Sequence, residues 1–160
     1  MNDERRDDVP DAPHDDERES AYELFQRGQA LLDRHHHAQA AVVLGRADRL
    51  EPGKASILEA LGRAYFNSGQ HEAARATFER LLEIDPSAHY AQYALGQSLK
   101  KLGRREEAGT HLRLAVALDP TSALYRGALG RLGAASRPPR QGPADEPASQ
   151  PEPEDGPPAE

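Results

Sequence analysis

The residues that look most able to do chemistry are His35, His36 and His37, consecutive in "RHHHAQA". Imidazoles ligate zinc and titrate near neutrality. Three in a row, however, point in different directions from a helix or turn, and none of them has a histidine four residues on. No HExxH pattern occurs, and with no cysteine in the chain thiolate zinc, disulfides and thiol catalysis are all excluded. A narrower expectation is a ridge of His36, His37 and His71 that gains charge below about pH 6.5.

"EPGKAS" has the Gly-Lys of a phosphate loop, but it lacks the upstream glycine and lies between helical segments where a strand is required. "GALGRLG" has the wrong spacing for a dinucleotide loop, and no Gly-x-Ser-x-Gly is present. No catalytic constellation is therefore expected, nor any metal or cofactor. The remaining candidates are aromatic: Tyr90 and Tyr93, three apart in "IDPSAHYAQYALGQSL", in a chain with five Tyr, three Phe and no Trp. Two rings on one helical face suit either packing or a partner surface.

The elements that must position them are written as a repeat. Between two acidic ends, proline occurs only at Pro52, Pro86 and Pro120, 34 residues apart, in "LEP", "IDP" and "LDP". Gly28, Gly62, Gly96 and Gly130 keep the same period, as do Ala40, Ala74 and Ala108, and Leu44, Phe78 and Leu112. Leu50, Ile84 and Leu118 form a further column.

Each period holds two apolar-periodic segments, for example Leu58, Leu61 and Tyr65, then Ala74, Phe78, Leu81 and Leu82, divided by "NSGQ". This pattern predicts two short antiparallel helices per period. A Gly column on the first helix facing an Ala column on the second predicts close crossings, where a bulky residue costs roughly 1–3 kcal/mol. Ser20 with Glu23 predicts a capping box, and Ser87 and Thr121 are expected to cap the helices that follow them. Gln92 and Arg126 replace the apolar Leu24 and Leu58, which predicts looser packing there.

The segment "LGRAYFNSGQHEAARATFERLLEIDP", residues 61–86, resembles a tetratricopeptide repeat in its Leu-Gly, Tyr, Ala, Phe and Pro spacing. The resemblance implies an all-α, right-handed α-solenoid over residues 20–134, with repeats at about 21–54, 55–88 and 89–122 and a capping helix at 122–133. Residues 1–19 carry nine acids against three arginines, and 137–160 six acids, two arginines and eight prolines. Segments of such composition cannot bury enough apolar surface to offset ordering, so 1–19 and 135–160 are expected to be disordered acidic tails. They are read as solubilising, the sharper alternative being that one folds back on the mildly basic middle.

In that family the first helix of each repeat lines a concave groove that binds another protein. The resemblance thus implies a surface from Tyr22, Phe25 and Gln29, then Glu59, Arg63 and Asn67, then Tyr90, Tyr93, Gln97 and Lys101. Its partner is expected to be a peptide or helix of another protein, with the chain acting as an adaptor or scaffold. Self-association through the same groove is the alternative, and an assembly co-chaperone a further one. Family members that hold the acidic tails of chaperones use a Lys and Asn clamp; Phe25, Gln29, Ala60, Tyr90 and Ala94 stand at those positions, so the clamp is absent. Tyr93 has a ready explanation in packing between first helices, whereas Tyr90 at the groove edge has less.

Nucleic acid is not an expected partner: Arg75, Arg80, Arg104, Arg105 and Arg113 are interleaved with Glu72, Glu79, Glu83, Glu106 and Glu107, and the net charge is -7. The longest apolar run, "AAVVL", is far too short to span a membrane. An acidic N-terminus does not resemble a signal peptide, and the expected location is the cytoplasm.

Overall fold

Seven helices follow one another along the chain in a computed structural model that describes residues 19–135. They are α1 (Ala21–Asp33), α2 (His37–Leu50), α3 (Ala55–Asn67), α4 (His71–Ile84), α5 (His89–Lys101), α6 (Arg105–Leu118) and α7 (Ala123–Ala134). The first helix of each pair has 13 residues and the second 14, so the period of 34 is kept by helices and turns alike. The expected tails lie outside the described residues. At their boundary Glu19 pairs with Arg27 at 2.5 Å, with Arg46 at 3.8 Å.

Every helix packs on the next, and α1 also touches α3, as α3 touches α5. The first helices thus form one row, the arrangement of an all-α solenoid of three helical pairs closed by a seventh helix. The core runs between the rows, with Leu24, Leu44, Leu58, Phe78, Leu95 and Leu112 all fully buried.

The Gly columns have a more specific cause than a Gly–Ala crossing. A Cβ on Gly62 would stand 2.6 Å from the Phe78 ring, and one on Gly96 would stand 2.8 Å from Leu112. Gly28 faces Leu44 in the same way. Each first helix is hollowed at its glycine to receive the large side chain of the second, and the Ala column only brings the backbones near enough for this.

The turn inside each repeat is a Schellman motif, in which two backbone N–H groups close back onto the end of the first helix. Gly69 N–H donates to Phe66 O at 3.1 Å and Gln70 N–H to Tyr65 O at 2.8 Å; the third repeat repeats this with Gly103 and Arg104. The pivot residue must be left-handed, with φ of 82° at Gly69 and 80° at Gly103. His35 takes the same place in the first repeat at φ 61°, the strained slot its alignment with those glycines predicts.

The turns between repeats differ from expectation. Ser20 and Glu23 do form a reciprocal capping box, but Ser87 and Thr121 cap no helix. Asp85 Oδ1 instead accepts from both the N–H and the hydroxyl of Ser87, at 3.0 and 2.6 Å, and Asp119 does the same for Thr121. The aspartates before Pro86 and Pro120 therefore fold those two turns, α5 starts from Ala88 without a side-chain cap, and Ser122 caps α7.

The position of Gln92 is also not loose. Gln92 is 8% exposed, and its Oε1 accepts a 2.8 Å hydrogen bond from His111 Nδ1. In the second repeat the equivalent columns hold Leu58 and Thr77, so the third repeat exchanges an apolar contact for a polar one.

Candidate partner-binding groove

The face presented by α1, α3 and α5 is read most simply by columns of the repeat. One column holds Tyr22, Ser56, Tyr90 and Leu124, and the next Phe25, Glu59, Tyr93 and Gly127. A third holds Gln29, Arg63, Gln97 and Arg131.

Around α5 the aromatic groups form a chain. The Tyr90 ring meets Phe78 edge-on at 6.4 Å and Tyr93 at 6.2 Å, and Tyr93 lies 5.1 Å from Tyr125 of α7. The Tyr93 hydroxyl accepts from Gln97 Nε2 at 3.1 Å, while Tyr125 Oη is 2.8 Å from His89 Nδ1. Such offset and edge-on pairs add roughly 0.5–1.5 kcal/mol each beyond area burial, so the wall they form is rigid. Burial pushes the Tyr90 phenol above its usual range, with Arg63 opposing and Glu59 reinforcing that shift.

This wall bounds a hollow of about 290 Å³. It is lined by Arg63, Phe66 and Asn67 of α3, by Phe78 of α4, and by Tyr90, Tyr93, Ala94 and Gln97 of α5. Tyr22 and Phe25 line a second hollow of about 200 Å³ with Lys54, Ser56 and Ile57. Gln29 lies in a third of about 200 Å³ with Leu32, Asp33 and again Arg63.

Of the ten residues singled out from the sequence, the structure gathers Arg63, Asn67, Tyr90, Tyr93 and Gln97 around one hollow. It sets Tyr22 and Phe25 at another, and Gln29 at the third. Glu59 and Lys101 are exposed on the first helices but line none of these three. Tyr90 is not a ring without structural reason, because it is half-buried against Phe78 and Tyr93. Of the rest of the wall, sequence reasoning put Phe78 in a core column and missed Tyr125. Tyr125 stands in the column of Ile57 and Ala91, and its aromatic character there was the available signal.

Charge is distributed differently on the two rows. On the second helices Arg75 pairs with Glu72 and Glu79, Arg80 with Asp48 and Arg104 with Glu107. Among the described residues, Arg63, Lys100 and Lys101 of the first helices make no ion pair, and neither does Glu59. Of the expected histidine ridge, His36 and His37 border one hollow with His35, and the His71 ring lies 5.2 Å from that of Phe66. No group of three His, Asp or Glu among the described residues is placed to hold a metal ion. No helix among them is long and apolar enough to cross a membrane.

Seven helices in sequential pairs, with a row of first helices carrying a recessed aromatic and polar surface, define a helical-repeat scaffold of a kind that generally serves protein–protein interaction and is typically not catalytic. A tetratricopeptide repeat family model matches at residues 25–89 and 60–123, over half of the chain, and the chain belongs to that family. No curated protein matches it in sequence.

Among solved structures it is similar to MamA from Desulfovibrio magneticus, with 24% identity and a TM-score of 0.71 over 74% of this chain and 67% of that one. The Sgt2 TPR domain from Aspergillus fumigatus is 20% identical, TM-score 0.68, over 81% and 91% of the two chains. The first TPR of Spaghetti (RPAP3), solved bound to an HSP90 peptide, is 17% identical with a TM-score of 0.69 over 72% and 92%. At these identities the likeness speaks for the fold.

Proposed function

We propose that the chain is an adaptor that captures a peptide segment of a partner protein along the row formed by α1, α3 and α5. The observation that carries this reading is the hollow between α3 and α5, where rigid aromatic walls adjoin the exposed Asn67 and the exposed Arg63, which makes no ion pair among the described residues. Apolar walls supply buried area, the amides of Asn67 and Gln97 can satisfy a peptide backbone, and pre-organised rings lower the ordering cost on this side. Because Phe25, Gln29, Ala60, Tyr90 and Ala94 replace the clamp, a free terminal carboxylate is not the recognised group. That separates this reading from the tail-bound relative, although both share the fold.

The test is affinity capture with the full chain and with Arg63→Glu/Asn67→Ala, a variant confined to exposed residues. Partners should be lost from the variant while its melting temperature and helical circular dichroism hold. Partners retained at the same level would overturn the groove reading.

A further inference from the structure

The two aromatic hollows are related by the repeat itself. Tyr22 and Phe25 of α1 stand in the same columns as Tyr90 and Tyr93 of α5, two repeats on, and each pair lines its own recess. Between them α3 offers Ser56 and Glu59 in those columns, and Arg63 one turn later. The row therefore reads aromatic, polar, aromatic.

We infer that the groove is bivalent: it takes one extended peptide through two large apolar side chains about five or six residues apart, with an acidic residue between them. The inference rests on the adaptor reading above and names its ligand. The spacing comes from the geometry of the row. The hollows flank α3, one at Ser56 and Ile57 and the other at Phe66 and Asn67. About ten residues along the helix at about 1.5 Å each, combined with one packed-helix spacing of about 8–10 Å across it, separate them by roughly 17–18 Å, which an extended strand crosses at about 3.3 Å per residue.

The acidic residue follows from Arg63, which borders both the larger hollow and the one with Gln29 and makes no ion pair. Glu59 lies one turn away and is also unpaired, so it disfavours an acid displaced toward it and fixes where the acid sits. The sequence argues against occupation by the chain's own ends. Residues 136–160 contain no aromatic residue and no Leu, Ile, Val or Met, and residues 1–18 offer only Met1 and Val9. A second copy has its exposed large apolar residues, such as Val42, Leu50 and Ile84, on helices rather than on an extended segment.

The test uses the full chain as bait for a phage-displayed library of random peptides of about 16 residues, long enough to cover both hollows when extended. Enriched peptides are then synthesised and their affinities measured by fluorescence anisotropy. Enrichment of two large apolar residues about five or six apart, with Asp or Glu between, is the expected result.

Tyr22→Ala, at a side chain 64% exposed, and Asn67→Trp, an exposed position that covers the larger hollow, should each weaken binding about tenfold. Arg63→Glu should weaken it too, and exchanging the peptide acid for Lys should restore it. Should only Asn67→Trp matter, the bivalent inference fails and the adaptor reading stands. Apolar pairs at helical spacing, about 11–13 residues apart, would also overturn it. A selection yielding no peptide sensitive to either variant would overturn the groove reading together with the inference.

Discussion

Gly62 and Gly130 occupy the same column of the repeat and meet opposite surroundings. Around Gly62 the Phe78 ring fills the space a Cβ would need, whereas a Cβ on Gly130 would meet nothing within 4 Å. Both lie in the middle of a helix, where glycine forfeits about 1 kcal/mol relative to alanine. In the second repeat that loss is offset by the seat it makes for a fully buried ring. In α7, which has no second helix packed on it among the described residues, glycine offers no such return. The requirement for a small residue is thus created by the partner helix rather than by the helix that carries it.

Alanine at the two positions should separate the effects. Gly62→Ala overpacks Phe78 at roughly 1–3 kcal/mol, against about 1 kcal/mol of helix propensity regained. Because Phe78 is fully buried and cannot turn away, thermal denaturation should show a net loss of stability; a gain would break the comparison. Gly130→Ala should raise stability by up to about 1 kcal/mol, and a loss would mean that the open face of α7 is covered.

The three Schellman turns extend the comparison. His35→Gly removes a left-handed strain of roughly 1–2 kcal/mol, but loosens the unfolded chain by about 0.4–1 kcal/mol. A net gain of about 0.5–1 kcal/mol in urea denaturation is expected, with no comparable gain from touching Gly69 or Gly103.

The smallest effect concerns the polar pair of the third repeat. Burial holds the His111 imidazole below its usual 6.5, while Glu79 and Glu107 pull weakly the other way. A depressed folded-state value favours the neutral ring, so its contribution is complete above pH 6.5 and is lost as the pH falls toward the folded value. Gln92→Leu/His111→Thr, which copies Leu58 and Thr77 of the second repeat, should abolish this step in a pH series of melting temperatures.

Much of the fold was legible because it is local. The pairing of short helices, the turn glycines and the strained His35 follow from spacing and from backbone conformations that single residue types permit or resist. The site was legible only by column. Tyr90, Tyr93, Arg63, Asn67 and Gln97 share a hollow, yet nothing in the spacing distinguishes them from Lys101 or Glu59, which lie outside it. The serine and threonine after each proline misled for a physical reason: their hydroxyls have a competing acceptor two residues back, and Asp85 and Asp119 take it.

The sequence by itself determined the period, the two short helices of each repeat and the left-handed turns, because these depend on residues within one or two turns of each other. Only the tertiary structure decided which side chains meet. Asp48, which stands in one column with the apolar Leu82 and Val116, receives a two-point hydrogen bond from Arg80 of the next repeat at 2.8 and 3.0 Å. Gln92 finds His111, and Tyr93 finds Tyr125. Such pairings join residues on different helices, and their geometry is set by how the helices stack, which no local propensity encodes.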